Sequence, residues 1–369
     1  MNLLIIGNGF DIAHGLPTRY AEFLNFANAT LNEKDNKKYL FDFDIETIQK
    51  AKRLSAMNIW RSYLSNLTNL SKPNGNWIDF EEEILQVIKR LNVLITFRKE
   101  KGENDYVHNK HRNEIDYLYD ILEKCNNEEK YVELLGDETL EDFTGFKIRI
   151  LNDLNRLVKC LELYLHDLMG RYEFKEAIKD IPIDFEFDGV LNFNYTDTFE
   201  KLYKAEKIVY VHGRAREDEE TDMILGIDEY LDDDTKNQDI ECIEFKKYFQ
   251  RIFKKTGNQY KKWLASIEEK AKYFSNYNFY NYVFIYGHSL GYSDREILKE
   301  FFDAKRTKIT IFYHNEEAHK RYIANLVRII GQDDVIRRVY GHNPTIIFEE
   351  QDKNLPIHRL AESMDNPHA

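Results

Sequence analysis

His212 closes the run Lys207-Ile-Val-Tyr-Val-His212 and is followed at once by Gly213. Histidine is the side chain that exchanges a proton near neutral pH, so His212 is a candidate acid–base group. A packed, hydrogen-bonded histidine is the ordinary alternative for a strand end. The glycine beside it and its place on an expected ligand edge favour chemistry. Gly7-Asn8-Gly9 breaks an apolar run, Leu3 to Ile6, just before the chain turns. A buried strand followed by glycines lets backbone approach a phosphate and point N–H groups at it. The third glycine of the usual dinucleotide fingerprint is missing, so this pair by itself reads equally well as a tight turn. Gly287-His288-Ser289-Leu290 repeats the theme, with Ser289 offering a hydroxyl; His288 could be a second acid–base group but is expected to face solvent. Asp11 would repel a pyrophosphate if ionised, so it is expected to cap a turn or to accept from a sugar hydroxyl or an amide. Arg19 could bring a compensating positive charge, and Ser293-Asp294 reads as the cap of a following helix.

These groups are useful only if the fold gathers them. Apolar strand character is expected at 3–6, 188–194, 207–212, 282–286, 308–313 and 345–348, with helices at 294–304 and 317–330. Strands alternating with helices imply a parallel sheet, whose strands all end on one edge where ligands bind. That edge would collect Gly7, Asn194, His212 and Gly287. Asn194, in Leu-Asn-Phe-Asn-Tyr-Thr, can equally be a turn residue whose amide bonds local backbone. Between the first two strands the periodicity predicts helices at 21–31, 45–70, from Asp79 onward, 114–124 and 147–172, with a turn at 71–76 and a loop at 99–111. The expected organisation is an α/β core from 1–20, 181–227 and 281–350, helical insertions at 21–180 and 228–280, and a tail at 351–369.

The 369 residues carry a net charge of −13, which argues against a nucleic-acid backbone as the main partner. The three cysteines, Cys125, Cys160 and Cys242, form neither a disulfide framework nor a metal ribbon. The N-terminus lacks a signal-peptide pattern and no stretch is apolar enough to span a bilayer, so a cytoplasmic protein away from the membrane is expected.

The string Gly7, Asn8, Gly9, Phe10, Asp11, then Gly15, Leu16 and Pro17, is similar to the NAD loop of sirtuins. It resembles still more closely the N-terminus of the phage abortive-infection family AbiH, a branch of the sirtuin-like Rossmann proteins. Trp77-x-Asp79-x-Glu81 also resembles that family, although a helix start explains it. The resemblance implies a Rossmann-like, sirtuin-like parallel sheet with large helical insertions, and NAD as substrate or ligand. It implies that Asn194 positions water or the nicotinamide ribose and that His212 acts on a ribose hydroxyl. Gly213 and the loop Gly287, His288, Ser289 and Leu290 would hold ribose and phosphates. Thr196 stands where the family carries an acid, with Asp197 next to it, so the ribose contact falls to one of those two. Sirtuin deacylases hold zinc on four cysteines; three scattered cysteines cannot, so no metal is expected and simple cleavage of NAD to nicotinamide and ADP-ribose is favoured. The alternative is a nucleotide-binding sensor without turnover. A homo-oligomer or a defence-system protein is the expected partner. A nuclease is disfavoured by the charge and by the missing carboxylate–metal motif.

Overall fold

Six strands carry apolar side chains on both faces, as a sheet covered on both sides requires. They are β1 (Asn2–Ile6), β2 (Gly189–Asn192), β3 (Ile208–Tyr210), β4 (Asn281–Tyr286), β5 (Thr307–Tyr313) and β6 (Ile346–Glu350). In the computed structural model all neighbouring pairs run parallel, in the order β3-β2-β1-β4-β5-β6. The described residues are 1–32, 37–40, 43–70, 79–103, 107–125, 131–173, 187–203, 207–216, 220–273 and 280–351.

Leu3, Ile5, Leu191, Val283, Ile285, Ile309 and Ile311 face one core, filled by the helices Lys261–Tyr273, Arg295–Asp303, Glu316–Ile330 and Gln332–Tyr340. Leu4, Ile6, Val190, Phe284 and Tyr286 face the other, against Phe10, Phe199 and Tyr203. The alternation along β1 explains why Leu3 to Ile6 shows no polar position. The order is that of a Rossmann-type α/β fold, with its switch point between β1 and β4.

The chain divides into two units. One joins 1–18, 171–214 and 254–369 and holds the sheet; the other joins 19–170 and 215–253. The second insertion, expected at 228–280, is therefore drawn differently. The helix Lys261–Tyr273 belongs with the sheet, because Trp263 and Ile267 lie in its core and the indole of Trp263 lies directly over Gly189. Any side chain at 189 would displace that ring.

The second unit is built on the helices Tyr20–Leu31, Ile45–Ser55, Ile59–Leu70, Phe80–Lys101, Val107–Lys124 and Leu140–Arg171. Asp79 caps the fourth of these as expected, accepting from the amides of Glu81 and Glu82. The single helix expected at 45–70 is two. Met57 takes a left-handed φ of 48°, Asn58 caps the amide of Arg61, and the Asp153 carboxylate accepts from Ile59. The loop expected at 99–111 shrinks, with helix reaching Lys101 and resuming at Val107. The expected turn at 71–76, Trp77 and the tail beyond 351 lie outside the described residues. The three cysteines are buried, and burial pushes each thiol up to about 12, so they pack rather than react. Among the described residues no helix is long and apolar enough to cross a membrane.

Candidate functional site

β1 ends at Ile6, and Gly7 serves as the N-cap of a short helix, Asn8–Ala13. The amides of Gly7 and Gly9 donate to the carbonyls of Tyr286 and Gly287 at 3.2 and 2.8 Å, and Phe10 N–H donates to Gly7 O at 2.8 Å. These N–H groups, expected to point at a phosphate, are bonded within the protein itself. The glycines are required because two backbones cross. A Cβ on Gly7 would lie 2.8 Å from His288 Cα, and one on Gly9 2.7 Å from Gly287 Cα. The neighbouring residues are placed as follows. Phe10 is buried among Phe199, Tyr203 and Tyr286 in the sheet core, and Leu290 lies in the core on the other face. Asn8 clasps Thr18 through both ends of its amide. Gly15 passes under Tyr172, whose hydroxyl donates to the His14 carbonyl at 3.0 Å. The Leu16 amide bonds the Asp11 carbonyl, closing the turn that leads to Pro17. Arg19 pairs with Glu22 at 3.1 Å. His14, unremarked in the sequence, bridges the Phe10 carbonyl and the Tyr203 hydroxyl, and burial holds it below the ordinary histidine value.

β2 delivers the amide groups. Asn192 forms the local turn, accepting from Asn194 N–H at 2.8 Å and donating to the Thr196 carbonyl. Asn194 instead reaches across to β1, its Nδ2 donating to Gly7 O at 3.1 Å. Thr196 donates its hydroxyl to Asp11 Oδ2 at 2.5 Å. Asp11, from the helix that follows β1, thus sits against the segment that follows β2. Asp197 pairs with Arg214 at 2.6 Å, and Glu200 meets the same guanidinium at 3.0 Å.

Asp11 is 1% exposed, and desolvation pushes its carboxyl up to about 6, against hydrogen bonds from Thr196, Thr198 and Asn194 that pull it down. A raised carboxyl favours the fold while neutral, below its ordinary 3.8, and that contribution is lost as pH rises through about 6. Asp11→Asn, neutral at every pH, should therefore gain on the wild type by about 2–3 kcal/mol between pH ~4 and ~7, read from urea melts across that range. A stability difference that does not change with pH would contradict the burial argument.

β3 and β4 deliver the histidines. His212 Nε2 lies 2.9 Å from Asp294 Oδ1, and His288 Nε2 lies 3.5 Å from Asp294 Oδ2. The Phe193 ring packs edge-on against both imidazoles, at 5.5 and 4.4 Å. The expectation that His288 faces solvent is wrong; at 4% exposed it is as buried as His212 and Asn194, both 5%. Asp294, taken as a helix cap, opens the helix Arg295–Asp303 but makes no side-chain cap bond, its carboxylate being turned to the histidines. The sequence hid this because a Ser-Asp pair before a helix is the ordinary cap signature. Gly213 turns the chain after His212 at φ 77°. The Ser289 carbonyl accepts from Asn325. Asn194, Gly7, His288, Asp294 and His212 form one connected cluster at the carboxyl edge, beside the switch point. Among the described residues no group of three or more His, Cys, Asp or Glu side chains could hold a metal ion.

A family model described as "Bacteriophage abortive infection AbiH" matches residues 3–314. No curated protein and no solved structure matches the chain.

Proposed function

We propose, from the premise that this chain belongs to the AbiH family of bacteriophage abortive-infection proteins, that its defence role is carried out by cleaving NAD to nicotinamide and ADP-ribose at the carboxyl edge of the sheet. The observation that carries the reading is that Asn194 beyond β2 and His288 beyond β4 meet Gly7 beyond β1, with His212 beyond β3 joined to His288 through Asp294, in a sheet of dinucleotide-binding order. Cleaving the N-glycosidic bond asks for a held ribose, a placed water and a proton acceptor, and needs no metal. In this reading Asn194 orients the water or the sugar and His212 handles the proton. Asp11, close to Asn194, is suited to a sugar hydroxyl or the nicotinamide amide. Since these groups are buried, NAD reaches them only when the structure around them opens. Controlled opening suits an activity that would deplete the host if it ran unchecked, and assembly of copies or contact with a defence partner is the proposed control.

The test is nicotinamide release from NAD by the purified full chain, alone and with extract of phage-infected cells. Wild type should release nicotinamide under at least one of these conditions, and Asn194→Ala should lower the rate by about a hundredfold. A second reading, a nucleotide sensor acting through a partner, is favoured by Ile252 and Phe253, which are largely exposed at the end of the helix Lys247–Phe253. Saturable NAD binding with no release under either condition would select it.

A further inference from the structure

The β4 loop spends conformational strain on orienting one histidine. Leu290 holds a left-handed φ of 54°, a conformation that non-glycine residues rarely adopt. In that conformation its N–H donates to His288 Nδ1 at 3.0 Å. A ring nitrogen that accepts a hydrogen bond carries no proton, so the proton of neutral His288 is on Nε2, the nitrogen facing Asp294 Oδ2. Asp294 is thereby held from one side, and its other oxygen is left for His212 Nε2 at 2.9 Å. The carboxylate forgoes the capping bond its helix position offers, which is the mark of a side chain fixed for another purpose.

We propose that Asp294 is the positioning residue of the site: it fixes His212 as the Nε2–H tautomer, making Nδ1 the basic nitrogen, while His288 and the strained Leu290 turn hold Asp294 in place. A carboxylate that fixes the tautomer and orientation of an acid–base histidine without itself taking the proton is an established device of hydrolytic sites. The assignment rests on reading His212 as the proton-handling group, but its geometry can be tested without any turnover.

Long-range proton–nitrogen correlation spectra of the full chain, labelled with nitrogen-15 in histidine, report which ring nitrogen carries the proton. The expected wild-type result is protonation at Nε2 in both His212 and His288. Asp294→Asn, whose amide can donate to His212 Nε2, should move the His212 proton to Nδ1 and leave His288 accepting from Leu290. Under the condition that supports NAD cleavage, the same variant should lower kcat by about tenfold to a hundredfold at an unchanged KM. A wild-type His212 protonated at Nδ1, or a tautomer indifferent to Asp294→Asn, overturns the assignment. If neither protein releases nicotinamide, the NAD-cleavage reading fails while the spectra still decide the role of Asp294.

Discussion

His212→Ala is expected to lower nicotinamide release by about a hundred- to ten-thousand-fold, the range general acid–base groups contribute. The effect should fall on kcat. His212 Nε2 is committed to Asp294, and its ring packs edge-on to Phe193, so the imidazole is held in one pose. Removing it leaves Asn194 on the Gly7 carbonyl and Thr196 on Asp11, since neither bond involves β3. NAD affinity should therefore change little while turnover collapses. Direct binding measurements beside the release assay separate the two quantities. Release that survives the substitution would place the chemistry elsewhere in the chain.

The second large effect concerns folding. Gly287→Ala is expected to destabilise the sheet unit by more than about 4 kcal/mol, beyond what ordinary substitutions cost. Gly287 sits at φ 67°, and a Cβ there would lie 2.2 Å from Phe10 N and 2.6 Å from Gly9 C. Both neighbours are backbone, in the segment that begins the helix Asn8–Ala13, so neither can turn aside as a side chain could. Gly102→Ala separates the two contributions. Its φ of 72° is comparable, but nothing lies within 4 Å of the added carbon, so it should cost only about 1 kcal/mol. Thermal or urea melts of the two variants check this. Similar costs at both positions would mean that the β1 and β4 loops are not locked together.

The sheet was legible because both of its faces are covered. Leu3 to Ile6 and Tyr282 to Tyr286 read as buried strands without alternation, and parallel pairing followed from the helices between them. What escaped reading depends on partners remote in sequence. The break at Asn58 is completed by Asp153, ninety-odd residues on, whose carboxylate accepts from Ile59. The membership of Lys261–Tyr273 in the sheet unit depends on Trp263 meeting Gly189. In the site, Asn194 and His212 stood out by type and by strand-end position. The use of the glycine amides on β4 carbonyls did not, because glycines that admit a ligand and glycines that admit another backbone read alike. Asp294 and His288 were undervalued for a related reason: a carboxylate before a helix and a histidine in a loop have ordinary uses on the surface, and only the fold turns both inward.

NAD should bind at the carboxyl edge of the sheet, against the β1 loop and the paired histidines. Titrating the full chain with NAD while following the imidazole carbon–proton resonances of His212 and His288 tests it most directly. Saturable movement of both, lost in Asn194→Ala, is the predicted result. Resonances that stay fixed up to millimolar NAD, in a protein that still binds or cleaves it, would place the NAD site elsewhere in the chain.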